Sequence, residues 1–66
     1  MTLKFHQMVE TINGPGLVQG VLRKPGEPDR IIVSHSREVA FKAGLISGEI
    51  GGIWNLQHYA VEDLTA

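Results

Sequence analysis

The residues of this chain that could do chemistry are few. They are His6, His35 and His58, the serines on either side of His35, the adjacent acids Glu62 and Asp63, and the aromatics Phe5, Phe41, Trp54 and Tyr59. There is no cysteine, which removes disulfides and thiolate metal sites. Ser34-His35-Ser36 sets hydroxyls beside an imidazole, as a nucleophile needs its base. On a strand, though, neighbours point to opposite faces, so both serines are turned away from His35. A Ser-His-acid set also needs an oxyanion hole, and no pattern here supplies one. His35 is therefore expected to be a half-buried strand residue. The three histidines are far apart and lack ligand spacing, so no metal site is expected. Glu62 and Asp63 are sequence neighbours and cap or solvate a final turn rather than facing each other. Gly14, Gly16 and Gly20 imitate a phosphate loop, but such a loop needs a helix after it, and the run that follows is strand-like. No catalytic residue is expected.

The elements that must position these residues read as strands. Short apolar runs alternate with glycine and proline punctuation. "FHQMVETI" places Phe5 and Val9 on one face and Met8 and Ile12 on the other, and "GPG" then breaks the run. "LVQGVLR" follows, with Val18, Gly20 and Leu22 on one face. Gly20 inside it predicts a bulge, a sharp bend or a close backbone approach. "KPGEPD", Lys24 to Asp29, is an exposed hairpin loop. "RIIVSHS" is the cleanest strand, with Ile31, Val33 and His35 sharing a face. From Ser36 onward two readings compete. The alternation Val39, Phe41, Ala43 suits a strand, while Ser36 as N-cap and the Phe41–Leu45 spacing suit a short helix. The strand is the expectation. "SGEIGG" is loop, "IWNLQHY" the last strand, and "AVEDLTA" a terminal turn in which Val61 and Leu64 close the end of the body.

Composition bounds the rest. Sixty-six residues make one domain with a marginal core. Without cysteines, self-association is the expected source of further burial. A net charge of −1 with scattered Lys and Arg argues against nucleic acid as partner. No apolar run approaches membrane-spanning length and the first residues lack a signal-peptide core, so a cytoplasmic protein of bacterial type without a membrane partner is expected. Phe5, Phe41, Trp54 and Tyr59 could form an aromatic groove; the plainer reading puts Phe5 and Phe41 in the core. Trp54, the only tryptophan, and Tyr59 are the choices for a contact surface.

The runs "VETINGPGLVQGVL", "PDRIIVSH" and "HYAVEDL" together resemble bacterial SH3-like or KOW-like small barrels. The resemblance covers most of the chain and leaves Ser36 to Gly52 unmatched. It implies an all-β, SH3-like barrel of about five short strands with a terminal one-turn helix. Barrels of this kind host unrelated activities. The segment Gln57, Tyr59, Val61 and Leu64 is also similar to the pore motif of type II (type B) trimethoprim-resistant dihydrofolate reductase, an enzyme of mobile gene cassettes. That resemblance implies NADPH as cofactor and a pore built where four chains meet. The chain departs from it where the family's isoleucine is His58, and where its phosphate-binding lysine is Thr11 beside Glu10. The overall expectation is a non-catalytic binding or assembly module. It is homo-oligomeric, its protein or small-molecule ligand is unassigned, and it binds through Trp54, Gln57, His58 and Tyr59, with the Lys24–Asp29 loop as further contact surface. The reductase and a KOW-like nucleic-acid binder are the alternatives.

Overall fold

Thr11 makes the first reversal of the chain. Its Oγ1 accepts the Asn13 N–H at 3.0 Å and donates to the Gly14 carbonyl at 2.9 Å. In the computed structural model, which describes residues 3–45 and 55–66, this turn joins strand β1 (Met8–Thr11) to β2 (Gly14–Leu22). Only Ile12 and Asn13 lie between the paired Thr11 and Gly14. Gly14 has φ 117°, a conformation L side chains rarely adopt.

The expected break at "GPG" is displaced. The chain turns at Ile12–Asn13, and β2 runs through Pro15 and Gly16. The ladder itself explains why proline is accepted. Pro15 stands opposite Glu10. Having no N–H, it fits a non-hydrogen-bonded pair, with its carbonyl pointing away from β1. On the other side of the same pair, the Glu10 N–H and carbonyl both turn outward to Thr65, at 2.7 and 3.1 Å.

Strands β3 (Arg30–Ser34) and β4 (Leu56–Ala60) complete an antiparallel sheet in the order β1-β2-β3-β4. The loop from Lys24 to Asp29 links β2 and β3 and is exposed throughout, as expected. β3 alternates as its sequence predicts: Ile31 and Val33 are buried and their neighbours are not. With Val9, Val18, Tyr59 and Leu64 they form the core, against which Leu3 and Val61 also pack.

The β2–β3 register shifts between Val18 and Gly20, leaving Gln19 as the extra residue of a bulge. Close approach is not the reason for glycine here, because a Cβ on Gly20 would meet no heavy atom within 4 Å. Gly20→Ala is therefore expected to leave the urea midpoint unchanged, or to raise stability by up to about 1 kcal/mol through the unfolded chain.

Residues 37–42 overturn the strand expectation. They form helix α1 (Arg37–Lys42), capped at both ends. The Ser36 hydroxyl accepts the Val39 N–H at 3.2 Å. At the other end Gly44 takes φ 77°, with Gly44 N–H on the Phe41 carbonyl (3.2 Å) and Leu45 N–H on that of Ala40 (2.9 Å). That pair of bonds is a Schellman motif. Ala40 is buried, whereas Phe41 is 63% exposed. Phe5 is 65% exposed, so neither phenylalanine is a core residue.

Beyond β4 the chain makes a 3-10 turn (Val61–Asp63), buries Leu64, and pairs Thr65 with Glu10 of β1. Among the described residues the fold is thus mostly antiparallel sheet, with one short α-helix and the closing 3-10 turn. No helix among the described residues is long and apolar enough to cross a membrane.

Candidate functional site

His35 lies one residue past β3 and is 3% exposed, deeper than its sequence suggests. Its Nδ1 is 2.9 Å from the Pro15 carbonyl oxygen and its Nε2 is 2.6 Å from the Tyr59 hydroxyl. The Asn13 side-chain amide donates to that same hydroxyl at 2.9 Å. A carbonyl only accepts, so Nδ1 carries the proton and donates to Pro15. In the neutral ring Nε2 then accepts from Tyr59, whose oxygen accepts from Asn13. The chain of bonds ties the β1–β2 turn and β2 to β4. It satisfies the very carbonyl that the ladder leaves pointing past the end of β3.

Room for this ring comes from Gly16. A Cβ there would stand 2.4 Å from Val33 Cγ1, 2.8 Å from the Ser34 carbonyl oxygen and 3.0 Å from His35 Nδ1.

Both nitrogens of His35 are thus committed. Its flanking serines are committed elsewhere: the Ser34 hydroxyl accepts from Gln19 Nε2 at 2.9 Å, and Ser36 caps α1. The arrangement ties the β1–β2 turn, β2 and β4 together and leaves neither nitrogen of His35 to act as a base for Ser34 or Ser36. Among the described residues no group of three or more His, Cys, Asp or Glu is placed to hold a metal ion.

The residues singled out for binding do not share one surface. Gln57 and Tyr59 stand opposite Val33 and Ile31, on the inward side of β4. Tyr59 is buried and Gln57 half-buried. His58 stands opposite Ile32 on the outward side and is exposed. Trp54 and the "SGEIGG" loop lie outside the described residues.

On the outward side, His58 belongs to a groove of about 430 Å³. That volume falls in the range of small-molecule sites, roughly 300–1,000 Å³. Register builds its floor: Leu22, Arg30 and Ala60 are paired in a row across β2, β3 and β4. Lys24, Glu27, Pro28 and Asp29 form one wall, and Glu62 of the 3-10 turn contributes to the lining. Arg30 Nε donates to His58 Nδ1 at 2.7 Å, and Arg30 Nη2 to the His58 carbonyl at 3.2 Å. The bond to Nδ1 needs a lone pair there, so the remaining N–H of the His58 ring is at Nε2.

The groove joins two segments the sequence already marked, the Lys24–Asp29 loop and His58. Arg30 was not among the marked residues, because its reach to His58 depends on the β3–β4 register. Compared with known proteins, the chain matches no family model, no curated protein and no solved structure.

Proposed function

We propose that the chain is a small SH3-like barrel that acts as a non-catalytic binding module and assembles with copies of itself. The groove beneath the Lys24–Asp29 loop is its ligand face. The observation that carries this reading is the Arg30–His58 pair, a guanidinium fixed by two hydrogen bonds in the floor of a small-molecule-sized groove. The saturated His35–Tyr59 network supports the non-catalytic half. Return of Thr65 to Glu10 supports closure of the sheet, since it carries the chain from the β4 edge back to β1.

Self-association is supported on the outward side of the sheet. Met8, Leu17 and Leu56 lie in one register row there, with Ser34 between them. Met8 is 59% exposed and Leu56 38%. A chain whose core is this small gains most by covering such a row with a second copy.

Amide-resolved NMR with cocktails of small polar fragments tests the ligand face. Shifts are expected to cluster at residues 22–30 and 58–62; shifts gathered around His35 instead would overturn it. Light scattering is expected to give a mass above the 7.2 kDa of one chain. A monomer at micromolar concentration would remove the assembly half. Turnover of dihydrofolate with NADPH would replace the whole reading with the reductase.

A further inference from the structure

We infer that the groove takes a small zwitterion, an amino acid or a short peptide with free ends, with its carboxylate on Arg30 and its ammonium on Glu62. This rests on the groove being the ligand face. Arg30 spends its Nε side on His58, through Nε to Nδ1 and Nη2 to the carbonyl. The Nη1/Nη2 end of the guanidinium is left for a two-pronged bond to a carboxylate. Holding one edge of the guanidinium also reduces what a ligand must order when it binds. Among the described residues Arg30 has no carboxylate partner, although Asp29 and Glu62 line the same groove.

The charge pattern selects the ligand class. Lys24 and Arg30 supply two cations and Glu27, Asp29 and Glu62 three carboxylates. Asp29 is engaged by Arg23 at 3.4 Å, which leaves two of each sign for a ligand. A polyanion would meet the two uncommitted carboxylates and a simple cation the two ammonium and guanidinium groups. A molecule carrying one charge of each sign meets neither penalty. Leu22 and Ala60 give it an apolar floor.

The test is an NMR titration of the full chain with four probes: glycine, triglycine, triglycine acetylated and amidated at its ends, and ATP. Glycine or triglycine is expected to shift the Arg30, His58 and Glu62 amides saturably, and the better of the two identifies the source. The blocked peptide and ATP are expected not to bind. Arg30→Gln is expected to weaken binding at least tenfold and Glu62→Gln at least threefold, with the rest of the spectrum unchanged. Glu38→Gln on α1 is the control and should have no effect. Added salt should weaken the interaction, because both contacts are ionic and partly exposed.

The inference falls if the blocked peptide binds as well as the free one, if ATP is preferred, or if Arg30→Gln changes nothing. In the first two cases, with the shifts still at residues 22–30 and 58–62, the ligand face stands and only the ligand class is wrong. An Arg30→Gln variant that binds unchanged removes the ligand face as well, because the Arg30–His58 pair is what carries it. If none of the probes and no polar fragment shifts the groove, the ligand-face reading falls with it.

Discussion

Gly16→Ala is expected to leave a large fraction of the chain unfolded in dilute buffer. The added methyl would sit 2.4 Å from Val33 Cγ1 and 2.8 Å from the Ser34 carbonyl oxygen. One of these neighbours is backbone in a central strand, and the other is a fully buried core side chain. The Ser34 carbonyl cannot move without disturbing β3, and the Val33 methyl can turn away only into a packed core. Overpacking a tight core costs about 1–3 kcal/mol, and more where backbone must shift. The same methyl would press on His35 Nδ1 at 3.0 Å and strain its bond to Pro15. A single core in a chain under about 70–80 residues supplies roughly 3–5 kcal/mol, so a loss of about 3 kcal/mol removes most of the stability. Urea unfolding followed by circular dichroism, with Gly20→Ala run beside it, reads the contrast. Two glycines four residues apart in one strand should differ by the whole of this amount. A Gly16→Ala midpoint equal to that of the unmodified chain would mean that Val33, Ser34 and His35 do not close over position 16.

That contrast also marks how far the sequence could be read. The crowding of glycine around "NGPGLVQG" announced a demanding backbone, but not which glycine answers which demand. Gly14 serves a turn and can be assigned locally. Gly16 serves a contact with residues 33–35, which only strand pairing brings near. β3 was legible because three successive β-branched residues, Ile31 to Val33, between a proline-rich loop and polar residues suit a pleated strand. Residues 36–44 were not, because nine residues can satisfy a period of two and a period of 3.6 at once. The signal that separates them was at the ends: Ser36 and Gly44 form a matched pair of caps, and a strand has no use for either. The groove was half legible. Its loop is visible in composition and His58 in residue type, but Arg30 reaches His58 only through a register set by core residues elsewhere. Tyr59 shows the limit of reasoning from residue type. An aromatic marked for a contact surface instead faces inward, two residues from Gln57, and gives its hydroxyl to the interior.

Tyr59→Phe is the second substitution expected to cost heavily, and it removes a single oxygen. That oxygen is the donor to His35 Nε2 and the acceptor of the Asn13 amide. Asn13 is half-buried and water can replace its partner. His35 Nε2 lies in the interior and loses its bond outright, which costs about 1–3 kcal/mol. His35→Ala should cost more, about 3–4 kcal/mol, because it leaves a cavity and strands both the Pro15 carbonyl and the Tyr59 hydroxyl. The two effects should not add. Once the ring is gone the Tyr59 hydroxyl has lost the partner it was buried for. Tyr59→Phe in that background should then cost about 1–2 kcal/mol less than it does alone. Urea midpoints of the single and double variants measure this coupling. Nitrogen shifts of the His35 ring should show the proton on Nδ1, because the Pro15 carbonyl can only accept. A proton on Nε2 would make that nitrogen the donor to the Tyr59 oxygen and set the Nδ1 lone pair against the Pro15 carbonyl, so the bond to Pro15 would be lost and Nδ1 left without a partner. Strictly additive losses would mean that the Tyr59 hydroxyl and the His35 ring do not depend on each other.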